Sequence, residues 1–354
     1  MSKFIKKFSH FDQHFIMTTS VFVSGATGYI AQHILKTLVA KNYNVVGSVR
    51  TAEKGEKLKK LLASDKFSFE VVPDVEPAGA FDEALKKHPE VTVFLHTASP
   101  VQFLIKDIEQ ELLKPAINGT KNALSAIKAY GPQIKNVVVT SSYSAILTAS
   151  KQSDPSFVAT EESWNPITWE EAKTDPQLGY NALKTFAEKA VWDFVKTEKP
   201  NFKVNVVNPV YVFGPQAFDA EVKGELNFSA EIINKLLKLK PDSDVPLDQG
   251  GFVDVRDVAK AHLAAFEKGF SNERLFMVSE RFAGQDLLDI LNENFPSLKG
   301  KIPVGKPGAG EEIKAGRCKL DNSKTRELLG FPLIDLKTCV VDSLNQIFRT
   351  RDQK

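Results

Sequence analysis

Cysteine is nearly absent from this sequence. Cys318 and Cys339 are the two in 354 residues, and they lie far apart with no metal-ligand spacing. They make no disulfide framework and no metal centre, so a reducing, cytoplasmic setting is the expectation. An excess of charge of either sign is also missing. The 46 basic side chains face 44 acidic ones, a formal net charge of +2. That balance provides no electrostatic footprint for nucleic acid or an anionic membrane surface. No apolar run approaches the roughly 20 residues that a membrane span needs, and there is no internal repeat or low-complexity tract. What is plentiful is phenylalanine, at 25 residues, which we read as core packing plus a partly aromatic pocket wall. With 42% apolar and 25% charged residues, the chain suits one large globular α/β domain with a smaller appendage, or two domains.

The first seventeen residues stand apart. Phe4, Phe8, Phe11 and Phe15 recur at helical spacing among Lys3, Lys6 and Lys7, but the arginine of a mitochondrial presequence is missing. Residues 1–17 are therefore expected to be a disordered leader, with Met17 an alternative start. From Ser20 to about Pro215, Val-rich runs at 20–24, 44–49, 67–72, 91–96, 136–141 and 203–208 alternate with helical stretches at 29–41, 53–63, 107–130 and 178–198. The runs lack polar alternation, as strands buried on both faces of a parallel sheet should. This β-α-β order predicts a doubly wound parallel sheet of Rossmann type over residues 18–215. Residues 216–354 change character, with a helix expected at 226–239, and are expected to form mainly a substrate-binding subdomain. Part of that segment should return to the main sheet.

The first strand runs into Gly25-Ala26-Thr27-Gly28-Tyr29-Ile30-Ala31. Gly25 permits a tight turn and Gly28 a close backbone approach to a pyrophosphate, while the following helix aims free N–H groups at the same anion. The second strand ends in Ser48-Val49-Arg50, without the acidic residue that binds both ribose hydroxyls in NAD enzymes. The Arg50 guanidinium can instead pair with a 2′-phosphate, and Lys54 can reach the same group. The expected cofactor is NADPH.

Tyr180-Asn181-Ala182-Leu183-Lys184 places a phenol and an ammonium on one helix face, a turn apart. A nearby ammonium stabilises phenolate, which predicts a lowered tyrosine pKa and proton transfer near neutrality. Ser142, just past the fifth strand, lies at the same carboxyl edge as the glycine loop. Its hydroxyl can hold a substrate carbonyl oxygen while Tyr180 donates a proton to it. Ser141 is the competing residue, with satisfaction of the strand-end backbone as its alternative role.

These stretches, with EVVPDV, LHTASP, EESWNP, VNPVYVFGP and FVDVRDVAKAHLAAF, make the chain from Ser20 onward resemble the extended short-chain dehydrogenase/reductase family. The similarity is strongest to its yeast NADPH-dependent methylglyoxal, aldehyde and ketone reductases. The resemblance implies Tyr180 as proton donor, Lys184 holding the ribose and Ser142 polarising the carbonyl. It further implies that Asp74 and Val75 sit by the adenine, that Val212 offers backbone to the carboxamide, and that Ser229 borders the cofactor. The substrate pocket would take Val101, Tyr143 and Tyr211, with Val101 replacing an expected aromatic residue. A small aldehyde, ketone or dicarbonyl is then the expected substrate, and the protein a monomer or homodimer. Bulkier flavonoid- or 3β-hydroxysteroid-like substrates are the alternative. A non-catalytic NADPH-sensing regulator is opposed by retention of Ser142, Tyr180 and Lys184 together. Epimerase chemistry on nucleotide sugars usually uses NAD, which Arg50 disfavours.

Overall fold

The computed structural model describes residues 19–99, 106–222 and 224–351. The leader and Val101 lie outside the described residues. All six Val-rich runs form strands, and six further strands join them among the described residues. In chain order these are β1 (Ser20–Ser24), β2 (Asn44–Val49), β3 (Phe67–Val71), β4 (Val91–His96), β5 (Asn136–Thr140), β6 (Val158–Ala159), β7 (Lys203–Pro209), β8 (Tyr211–Phe213), β9 (Gln249–Asp254), β10 (Arg274–Met277), β11 (Glu280–Ala283) and β12 (Lys319–Leu320).

Seven of them make one sheet in the order β10-β7-β5-β4-β1-β2-β3, with every neighbouring pair parallel. Both faces are buried, and the two-residue period of a strand divides its side chains between two cores. Val21 and Val23 enter one core while Phe22 enters the other. Likewise Val93 and Leu95 part from Phe94, whose ring stacks on Phe22 at 4.9 Å. Ile34, Leu35 and Leu38 of the helix Tyr29–Ala40 are fully buried in the first core. Each such burial is worth about 1.5–3 kcal/mol. The strand order reverses direction between β1 and β4, which opens a crevice at their carboxyl ends.

The segment after residue 215 does two things. The helix Val255–Glu267 joins the core of β1, and β10 pairs with β7 at the sheet edge. The rest builds a smaller layer. There β8 and β11 flank β9, and Phe213, Phe252 and Phe282 pack with the helices Phe228–Leu236, Gly284–Asn294 and Leu336–Arg351. Element ends differ a little from expectation. The stretch at 107–130 opens with a π-helical turn, Glu109–Leu113, before the α-helix Lys114–Tyr130. Pro115 has no N–H to donate at that junction. The helix expected at 226–239 runs only from Phe228 to Leu236. Among the described residues, no helix is long and apolar enough to cross a membrane.

Candidate active site

Gly25 ends β1 with φ +66°, and a Cβ there would lie 2.8 Å from the Cα of Ala98 beyond β4. Only glycine can occupy this left-handed, crowded position. The Gly28 N–H donates to the Gly25 carbonyl at 2.9 Å and closes the turn. Ser48 at the end of β2 braces the loop, its Oγ accepting from Gly25 N at 3.1 Å and its carbonyl from Ala26 N at 2.9 Å. The helix that follows has no side-chain cap and no acidic residue in its first turn. Its leading N–H groups therefore remain available to an anion. Thr27 and Gly28 are exposed there, and Ile30 packs on the core below. Tyr29 turns its side chain inward, donating to the Gly214 carbonyl at 2.7 Å, so only its backbone serves the loop. The cradle fits a dinucleotide pyrophosphate.

Arg50 is exposed immediately beyond β2. Thr51 caps the helix Ala52–Leu62 by accepting from Lys54 N, which puts Lys54 in the first turn. Neither basic side chain has an ion-pair partner among the described residues. Two uncommitted cations at a helix start oppose the dipole and suit a bound phosphate. Past β3, exposed Asp74 accepts from Glu76 N at 3.0 Å. Val75 lies against Gly119 of the helix Lys114–Tyr130, where a Cβ would come within 2.8 Å of it. Asn122 Nδ2 also donates to the Val75 carbonyl at 3.1 Å. The loop at 74–75 is thus fixed to that helix.

At the end of β4, His96 Nδ1 and Ser24 Oγ are 2.9 Å apart in the buried interior. Three residues on, Ser99 Oγ accepts from Lys184 Nζ at 3.1 Å. Lys184 is 8% exposed, and burial lowers its pKa to about 8. Tyr180, half-buried one turn earlier in the helix Pro176–Glu198, shares a side-chain hydrogen bond with Ser142. Here the structure corrects the expectation of a lowered tyrosine pKa. Burial raises it, the Ser142 bond opposes that rise, and the ammonium points to Ser99 instead.

The two serines differ in their partners. Ser141 is buried and donates from Oγ to Glu188 Oε2 at 2.5 Å. Ser142 opens a short 3-10 turn, Tyr143–Ala145, accepts from Ser144 N at 3.1 Å, and faces Tyr180. Tyr143 stacks on Phe276 at 5.7 Å and hydrogen-bonds the Cys318 thiol, and burial pushes its phenol pKa up. Tyr211 lies in β8 with its ring beside Gly250, where a Cβ would stand 2.9 Å away. Burial and the Asp248 carboxylate raise its pKa too. Val212 is buried and paired with Val253. Ser229 is half-buried in the first turn of the helix Phe228–Leu236 and makes no side-chain hydrogen bond to the other described site residues.

The structure thus joins Ser142, Tyr180 and Lys184 at the carboxyl edge that carries the glycine loop. Asp74 and Val75 lie just past β3. Sequence reasoning did not single out Ser99, although it stands in LHTASP directly after a strand. It also passed over Glu188, although Tyr180, Lys184 and Glu188 are spaced by four on one helix face.

A family model described as the NAD dependent epimerase/dehydratase family matches residues 21–277. The NADPH-dependent methylglyoxal reductase GRE2 of Saccharomyces cerevisiae is 49% identical over 336 residues, covering 93% of this chain and 98% of that one. The crystal structure of Candida albicans Gre2 in complex with NADPH superimposes with a TM-score of 0.92 at 50% identity, covering 94% of this chain and 99% of that chain. The yeast methylglyoxal/isovaleraldehyde reductase Gre2, crystallised with NADPH, gives a TM-score of 0.92 at 48% identity over 95% of this chain and 100% of that one.

Proposed function

The chain belongs to the NAD dependent epimerase/dehydratase family of extended short-chain dehydrogenases/reductases, and from that membership we propose that it is an NADPH-dependent carbonyl reductase. Its substrates are small aldehydes, ketones or dicarbonyls of the methylglyoxal kind, reduced to alcohols. The observation that carries this reading is the Ser142–Tyr180 hydrogen bond with Lys184 one turn along, at the sheet edge that bears the Gly25 turn. The NADPH-dependent relatives agree with it.

In this reading the backbone of Gly25, Ala26, Thr27, Gly28, Tyr29 and Ile30 would hold the pyrophosphate. Arg50 and Lys54 would hold the 2′-phosphate, Asp74 and Val75 the adenine, Val212 the carboxamide, and Ser229 a further edge. NADPH, when bound, supplies the hydride. Negative charge then grows on the carbonyl oxygen, and Ser142 Oγ holds that oxygen by a bond that strengthens as the charge develops. Tyr180 gives the same oxygen its proton. The phenol is protonated at neutral pH, and the Ser142 bond opposes the rise in pKa by which burial would weaken it as an acid. Lys184 grips the ribose and stabilises the phenolate that remains. Tyr143 and Tyr211 form the pocket wall.

A second reading, reduction of bulkier carbonyls, draws on a groove of about 570 Å³ lined by Val245, Leu247, Gln249, Ile313 and Arg317. Its sequence neighbours Gly250 and Cys318 touch Tyr211 and Tyr143. One experiment addresses both readings: loss of the NADPH absorbance with a panel of small and bulky aldehydes and ketones, repeated with NADH. No consumption with any carbonyl sinks the proposal, and the size preference decides between the two substrate classes.

A further inference from the structure

Behind Ser142 lies a buried polar network centred on one carboxylate. Glu188, 1% exposed, sits one turn past Lys184 on the face that carries Tyr180. Its Oε2 accepts from Ser141 Oγ at 2.5 Å and from Asn208 Nδ2 at 2.6 Å. Its Oε1 accepts from Arg274 Nε at 2.6 Å and Trp192 Nε1 at 3.3 Å. Asn208, fully buried near the end of β7, also donates from Nδ2 to the Ser142 carbonyl at 3.2 Å. Arg274 in β10 donates from Nη1 to the carbonyls of Glu161 and Ser163 at 2.5 and 2.6 Å. Its guanidinium carbon lies 4.0 Å from the centre of the Trp164 ring.

A charge in such a place is costly unless fully paired. Stability alone is a weak reason to keep it, since apolar residues of similar volume often serve as well. What the carboxylate does geometrically is specific. It joins the helix bearing Tyr180 and Lys184 directly to Ser141 and, through Asn208, to the Ser142 carbonyl. The proton donor and the oxygen-binding hydroxyl come from different elements, and their separation must hold to within about half an ångström.

We propose that Glu188, oriented by Arg274, is the positioning residue for Ser142, fixing its hydroxyl against Tyr180 through Ser141 and Asn208. This rests on the reductase reading above and adds to it a residue that touches neither substrate nor cofactor. Glu188→Gln replaces one acceptor oxygen by a donor. The Gln amide can then be met by the Oδ1 of a turned Asn208, an atom that has no partner among the described residues. Turning Asn208 removes its bond to the Ser142 carbonyl, so the loop is released.

The test is a double-variant cycle on the full chain with NADPH and a small aldehyde: Glu188→Gln, Ser142→Ala and both together, each with its melting temperature and NADPH affinity. Glu188→Gln is expected to lower kcat about 10- to 100-fold, the cost of a small misplacement, with the NADPH affinity unchanged. In the Ser142→Ala background the same change is expected to cost less than threefold, because the group it positions is already gone. Ser141→Ala, which leaves no unpaired charge, gives a second and milder cut and is expected to lower kcat severalfold. Losses that multiply in the double variant overturn the proposal. So does unchanged kcat in Glu188→Gln, or, if that variant does not fold, unchanged kcat in Ser141→Ala. Those outcomes leave the reductase reading intact, which fails separately if the unmodified chain reduces no carbonyl.

Discussion

Lys184 donates from Nζ to Ser99 Oγ at 3.1 Å, which ties its ammonium to the loop just beyond β4. Burial holds its pKa at about 8 against an ordinary 10.5. Between those two values the unfolded chain binds more protons than the folded one, so stability rises with pH there. Below about 8 the full cost of the buried charge is present. Lys184→Met removes that cost together with a hydrogen bond worth about 1 kcal/mol. The variant is expected to lose reductase activity yet gain about 2 kcal/mol of stability at pH 7. The gain should shrink towards pH 10. Denaturant melts of both proteins from pH 6 to 10 check this, and a gap that does not change with pH would refute it.

Arg50 sets the second expectation. An exposed guanidinium with no ion-pair partner among the described residues stands where an NAD enzyme keeps a carboxylate. The unmodified chain should prefer NADPH to NADH. Arg50→Asp replaces a bidentate contact by repulsion and should weaken NADPH by ~2 kcal/mol or more, about thirtyfold. Fluorescence titration with each cofactor measures this directly. Equal affinity for both cofactors in the unmodified chain would be fatal to the assignment.

Acid should destabilise the fold through three buried histidines. His33, His96 and His262 each have a pKa lowered to about 4, with burial the main cause. They stay neutral when folded but protonate near 6.5 when unfolded. Their contribution is complete above that pH and is lost progressively as pH falls towards 4. At pH 5 each should cost about 2 kcal/mol relative to pH 7. His262 bridges Thr140 at 2.7 Å and the Val258 carbonyl at 2.8 Å. His262→Gln should therefore flatten part of the fall in melting temperature between pH 7 and 5, at some cost in stability at pH 7. A melting temperature that is level over that range would show that the three rings do not act in this way.

Much of this was legible in the sequence where one local rule sufficed. Strands buried on both faces need unbroken apolar runs, and so β1, β2 and β4 match their predicted bounds. Gly25 is required by a positive φ, and Tyr180 with Lys184 by the pitch of a helix. The rest depended on distant partners. Ser141 and Ser142 look alike in NVVVTSSYS, and what separates them is a carboxylate 47 residues away that captures the first. Arg274, 86 residues from Glu188, carries no local signal. The direction of the Tyr180 pKa was misread because four-residue spacing sets which face a side chain occupies and not where a long ammonium ends.

The decisive expectation concerns Tyr180 itself. Its hydroxyl shares a hydrogen bond with Ser142 and is desolvated enough to stay protonated at neutral pH. Reduction needs that proton, so the rate should be flat at neutral pH and fall only on the alkaline side, as phenolate accumulates. Tyr180→Phe keeps the ring and its packing but removes the proton donor. It should lower kcat by ~100-fold or more, the scale of a lost general acid, while NADPH still binds. Ser142→Ala should chiefly lower kcat, by the roughly 10²-fold typical of one missing donor to a developing oxyanion. It should also move the alkaline limb to higher pH, because the Ser142 bond is what lowers the phenol pKa. Steady-state kinetics across pH 6–10 with a small aldehyde, alongside cofactor titration, tests all three statements. Near-normal turnover by a folded Tyr180→Phe protein would mean that the proton comes from elsewhere, and Tyr143 or Tyr211 would be the next residues to change.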